Sequence, residues 1–135
     1  MATQSLANDI PAAFDILTEQ SGAILSIQLN RPTKKNSLTS SMYTTMANVL
    51  DRAARDESIR VVLWHAAGDA FSAGNDIADF LNNPPGPGDS PQRRLTEAFI
   101  AFEKPIVAFA SACECLLLTY SSLPSLDRTF RSSPP

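Results

Sequence analysis

Histidine occurs once, as His65, and cysteine twice, as Cys113 and Cys115, in a chain of 135 residues. A single histidine leaves one candidate for a Ser-His-Asp triad, and no zinc-ligand set of the usual composition can be assembled. One residue between the cysteines does not suit a disulfide, and no second pair exists for a metal clip. Two spectator thiols and no metal are expected. Basic runs are also missing, and the formal net charge is -3. That argues against a nucleic-acid partner, because phosphate binding needs clustered Lys and Arg. No apolar run approaches the roughly 20 residues that span a bilayer, so no membrane association is expected. Met1-Ala2-Thr3-Gln4-Ser5-Leu6 has neither Arg nor the charged and apolar regions of a leader, and Ser132-Ser133-Pro134-Pro135 is no retention or peroxisomal address. The expected compartment is the cytoplasm. Glycine is scarce, and none of the five follows Gly88.

Hydrophobic residues make up 44% of the chain, enough for the core of one domain. Residues 1–12 read as a loose arm, and Phe14-Asp15-Ile16-Leu17 as the opening of a strand. Ala23, Leu25, Ile27 and Leu29 alternate with Ser26 and Gln28, the period of a half-buried strand that Arg31-Pro32 ends. Leu38, Met42, Met46, Val49, Leu50 and Ala53 then recur at helical spacing over about Thr39 to Arg55, with Thr39 or Ser40 as N-cap. Ile59 to Trp64 is nearly continuous and β-branched, which predicts a strand buried on both faces. A turn region with Gly68 and Gly74 leads to a short helix near Asp76. The stretch 82–91 is too rich in Pro and Gly for regular structure. Ser90 and Pro91 open another helix with an apolar stripe of Leu95, Phe99 and Phe102. Lys104-Pro105 stops it, and Ile106 to Phe109 reads as a further buried strand. The alternation predicts an α/β layered fold over residues 1–110.

Two stretches go beyond a generic α/β domain. One is Leu29-Asn30-Arg31-Pro32-Thr33-Lys34-Lys35-Asn36-Ser37-Leu38. The other is Gly68-Asp69-Ala70-Phe71-Ser72-Ala73-Gly74-Asn75-Asp76-Ile77-Ala78-Asp79-Phe80. A developing oxyanion is stabilised by donors aimed at it, and unpaired backbone N–H groups at a helix start are suitable donors. Gly74 permits a sharp turn and a close ligand, Asn75 carries the next N–H, and Asp76 can cap the helix. Taken alone, Gly74-Asn75-Asp76 reads as a turn with an N-cap, and Lys34 or Lys35 as a solvated lysine.

With Lys104-Pro105-Ile106-Val107-Ala108 as a third element in order, residues 14–110 resemble the enoyl-CoA hydratase/isomerase (crotonase) family. The form Ala73-Gly74-Asn75-Asp76 with Phe80 looks most like its Δ3-Δ2-enoyl-CoA isomerase branch. The resemblance implies the N-terminal half of a ββα spiral that binds an acyl-CoA thioester. It implies Asn75 N–H as an oxyanion donor, facing a cavity. It implies a substrate surface from Lys34, Asn36, Ser37, Ala73, Gly74, Asn75, Asp76 and Ile77. It implies no metal or redox cofactor, since coenzyme A enters as part of the substrate. Homo-oligomers, trimers or hexamers, are a further implication. After Ala108 the resemblance stops. Where the family has a Gly-rich turn that gives the second oxyanion donor, this chain reads Phe109-Ala110-Ser111-Ala112-Cys113-Glu114-Cys115-Leu116-Leu117-Leu118, and no general base can be aligned. Residues 111–135 hold six Ser and three Pro. They are expected to be a divergent tail, poorly packed or in need of a partner surface. The rival expectation is a non-catalytic remnant that binds CoA thioesters or pairs with full-length subunits.

Overall fold

The computed structural model describes residues 15–110; the expectations for residues 1–14 and 111–135 lie outside the described residues. Strand β1 (Ile16–Ser21) pairs antiparallel with β2 (Ile24–Leu29) through a two-residue loop, Ser21 opposite Ile24. Gly22 at φ 57° makes the left-handed step that so short a loop requires. Next come helix α1 (Ser40–Arg55) and strand β3 (Val61–Ala66), parallel to β2 with Ile27 opposite Trp64. A parallel neighbour needs a crossover connection, and α1 supplies it. Helices α2 (Ile77–Asn82) and α3 (Pro91–Ala101) precede β4 (Ile106–Ala108), which lies parallel to β3. The sheet order is β1-β2-β3-β4.

The helical spacing in α1 has its packing consequence: Met42, Met46, Val49, Leu50 and Ala53 are buried against Leu25, Ile27, Leu29, Val62 and Trp64. Burying each of the large side chains contributes about 1.5–3 kcal/mol relative to exposure. Thr39 caps the helix by accepting from the Met42 N–H. At the other end the Lys104 ammonium donates to the carbonyls of Ala53 and Asp56, at 2.6 and 2.7 Å. A cation at a helix C-terminus is favourable on charge as well as hydrogen bonding, and the link ties β4 to α1. Ser90 and Pro91 start α3 as expected. Phe99 stacks on Trp64 with ring centroids 5.2 Å apart.

Two expectations need correction. Strand β3 is not buried on both faces. Val62 and Trp64 point into the core, whereas Val61, Leu63 and His65 are half-buried, because the helical layer among the described residues packs on the Val62 face. Likewise Val107 is exposed beside buried Ile106 in β4. The opening strand also runs on to Ser21. Its sole buried side chain is Ile16, so Thr18-Glu19-Gln20-Ser21 carries almost no hydrophobic signal. No helix among the described residues is long and apolar enough to cross a membrane.

Candidate active site

The loop leaving β2 and the loop leaving β3 lie edge to edge, and hydrogen bonds between backbone groups lace them together. The Ala73 N–H donates to the Lys35 carbonyl, Leu38 N–H to Gly74, and Asp76 N–H to Leu38, at 2.8–2.9 Å. Asn36 sits at the centre with no solvent-exposed surface. Its side chain accepts from the Arg31 N–H at 2.8 Å and donates to the carbonyls of Ala67 and Ala70, both at 2.7 Å. Its own carbonyl accepts from the Ser72 hydroxyl. Lys35 and Asn36 both hold positive φ, 51° and 52°. For a non-glycine residue that conformation costs roughly 1–2 kcal/mol, which these cross-loop bonds offset.

Charges tighten the same seam. The Arg31 guanidinium donates to the Ser37 carbonyl at 2.7 Å and to the Asp76 carboxylate at 3.0 Å. Asp76 also caps α2 by accepting from the Asp79 N–H. Asp79 in turn accepts from the N–H and hydroxyl of Ser40 at the start of α1, each at 2.7 Å. Lys35 pairs with Asp69 at 2.7 Å. All three carboxyls are held below the ordinary aspartate range. Asp76 is lowered first by the Asp79 N–H and then by Arg31, Asp79 by the Ser40 N–H and then its hydroxyl, and Asp69 by Lys35. Depressed folded-state values stabilise the seam fully above the unfolded value, about pH 4, and that stabilisation is lost as pH falls through the folded values. Amide exchange at Leu38, Ala73 and Asp76, corrected for intrinsic rates, is therefore expected to accelerate between pH 6 and pH 3 more than exchange at Met46 and Leu50. Equal acceleration at both sets would show that these carboxylates do not hold the seam.

The lacing determines what Asn75 presents. Leu38 and Asn75 form an isolated parallel bridge in which Leu38 bonds to the residues on either side of Asn75, so the Asn75 N–H faces away from the loop. No group among the described residues accepts from it. The Asn75 side chain is occupied: its amide oxygen accepts from the Tyr43 hydroxyl at 2.5 Å. Gly74 has φ 92°, and a Cβ built there would meet nothing within 4 Å, so open space adjoins the backbone beside the Asn75 N–H. Asn75 is exposed, because its neighbours Leu38 and Tyr43 approach from one side only.

The remaining expected residues are distributed as follows. Ala73 and Gly74 are exposed beside Asn75, and Ile77 is 74% exposed at the first position of α2. Ser37 faces Arg31 and Asp76. Lys34 is exposed on a 3₁₀ turn, Pro32–Lys34, and forms no ion pair among the described residues, unlike Lys35. Asn36 is an internal strut whose side-chain polar atoms are both engaged within the seam. Reading the sequence did not single out Arg31, Tyr43 or Asp79 as site residues. Their partners lie 45, 32 and 39 positions away, so no local pattern announces them.

The model of the family described as Enoyl-CoA hydratase/isomerase matches residues 19–111. Human Enoyl-CoA delta isomerase 2 is 36% identical over 100 residues, covering 69% of this chain and 25% of that protein. Putative enoyl-CoA hydratase EchA13 of Mycobacterium tuberculosis is 37% identical over 94 residues, covering 65% of this chain and 30% of that one. Among solved structures, Pseudomonas aeruginosa OdaA superposes with a TM-score of 0.67 at 42% identity, covering 71% of this chain and 39% of that chain. An enoyl-CoA hydratase/isomerase from Pseudoalteromonas atlantica T6c gives 0.65 at 37% identity, covering 70% and 38%. The α/β architecture is thus that of the crotonase fold, in its N-terminal part. The chain belongs to the enoyl-CoA hydratase/isomerase family. It spans about a quarter to a third of the length of the relatives just named.

Proposed function

We propose that this chain binds an acyl-CoA thioester, with the thioester carbonyl oxygen at the Asn75 N–H. The supporting observation is that no group among the described residues accepts from this N–H, which lies beside an open approach at Gly74 in a seam laced by cross-loop hydrogen bonds. The chemistry is proton transfer at the carbon next to the thioester. A base removes the proton, the electron pair moves onto the carbonyl oxygen, and the N–H stabilises the enolate that results. Reprotonation at another carbon gives an isomerase; addition of water to the conjugated double bond gives a hydratase. Tyr43 holds the Asn75 side chain, Arg31 and Asp76 hold the turn, and Lys34 is the cation positioned to meet a CoA phosphate. No residue of this chain is assigned as the base. Binding without turnover is the second reading, and the absence of any glycine after Gly88 favours it.

Calorimetric titration with CoA and trans-3-enoyl-CoA tests the site. Gly74→Val is expected to weaken enoyl-CoA binding by tenfold or more. The added side chain enters the space the ligand needs, and the cost to folding is confined to strain at φ 92°, about 1–3 kcal/mol. Unchanged affinity in a folded Gly74→Val protein would refute the site.

A further inference from the structure

An apolar cavity of about 350 Å³ lies between the sheet and α3, lined by Trp64, Phe71, Thr96, Phe99, Ile100, Ile106 and Ala108. Thr96 alone of these is polar. Its rim continues onto exposed apolar surface: Ile100 is 69% and Phe109 61% exposed. Such a patch on one side of a small sheet marks a surface that something covers. The chain itself departs from this spot. Ala108 is part of the cavity wall, and the Phe109 N–H donates to the Trp64 carbonyl at 2.7 Å, which fixes the point of departure.

We propose that the cavity is the docking site of the chain's own segment Cys115-Leu116-Leu117-Leu118. This run is the densest apolar stretch beyond Ala110, and Glu114 is the only charged residue between Ala110 and Asp127. It begins five residues past Ala110. At roughly 3.3–3.6 Å per residue, it reaches any part of a cavity whose wall includes Ala108. A segment tethered this closely meets its site at an effective concentration of order mM, which favours it over the same segment from a second copy. The partner surface that the tail's composition calls for is then the molecule's own cavity. The inference stands independently of the thioester reading, since Asn75 is not part of the lining.

Three features make the test direct: Trp64 is the only tryptophan, Cys115 opens the segment with Cys113 the only other cysteine, and Thr96 is exposed on the rim. In the full chain carrying Cys113→Ser, Thr96→Cys is expected to form an intramolecular disulfide with Cys115 at least tenfold faster than Ser58→Cys, which lies before β3. Replacing Leu116, Leu117 and Leu118 together by Ser is expected to abolish that difference and to raise acrylamide quenching of Trp64 at least twofold. Equal rates at the two positions, or unchanged quenching in the triple variant, would overturn the proposal. A cross-link that becomes intermolecular and concentration-dependent would assign the cavity to a second copy and overturn it too. Displacement of the segment by a fatty acyl-CoA would leave the proposal standing only if the cross-link forms at full rate without that ligand.

Discussion

Purified as this chain alone, the protein is expected to turn over trans-3-enoyl-CoA or crotonyl-CoA about 10⁴–10⁷-fold more slowly than human Enoyl-CoA delta isomerase 2 assayed beside it. Two losses multiply. One oxyanion donor contributes about 10²–10³ in rate, and the Gly-rich turn that would carry the second has no counterpart here, where glycine ends at Gly88. A positioned general base contributes about 10²–10⁴. The carboxylates of the first turn of α2 and its cap, Asp79 and Asp76, are bonded within the seam and lowered in pKa, so they are poor proton acceptors. Turnover within tenfold of the human enzyme would show that residues 111–135 supply both missing parts.

The largest stability effect is expected at Asn36. Replacing it by Ala leaves the Arg31 N–H and the carbonyls of Ala67 and Ala70 without their present partners. These bonds are part-buried, so each group costs toward the lower end of about 1–3 kcal/mol, and a total loss of about 3 kcal/mol is expected. Against a total of about 5–15 kcal/mol for a domain this is severe. With a urea slope of about 1–3 kcal/mol per M, the midpoint should fall by about 1–3 M. Asn36→Gly removes the same bonds while relieving the left-handed strain at φ 52°. A glycine variant as stable as the native chain would show that conformation, not hydrogen bonding, is what Asn36 provides. A shift below about 0.3 M in Asn36→Ala would mean that water takes over all three groups.

Much of the layered fold could be read from the residues. The apolar spacing of α1, the Thr39 and Ser90 caps and the Pro91 start each have a local cause, and each recurs in the structure. Strand β1 was only partly legible because an edge strand with one buried side chain shows little alternation. Burial of β3 was overread because a β-branched run records propensity and says nothing of how many layers cover it. At the site, Gly74, Asn75 and Asp76 announced a turn with a cap, and Asp76 is that cap. What Asn36 does was hidden. Its partners Ala67 and Ala70 are 31 and 34 positions away, and they are backbone carbonyls, which every residue possesses.

The central claim concerns a single N–H group, so the most direct measurement follows that group. In ¹⁵N–¹H spectra of the labelled chain titrated with trans-3-enoyl-CoA, the Asn75 backbone amide is expected to move downfield saturably, with the largest shift in the seam. CoA lacking the acyl group should move resonances around Lys34 but leave Asn75 nearly unmoved, because it has no thioester carbonyl. An Asn75 amide that is unaffected by the thioester at saturation, or that moves equally with CoA alone, would contradict the account.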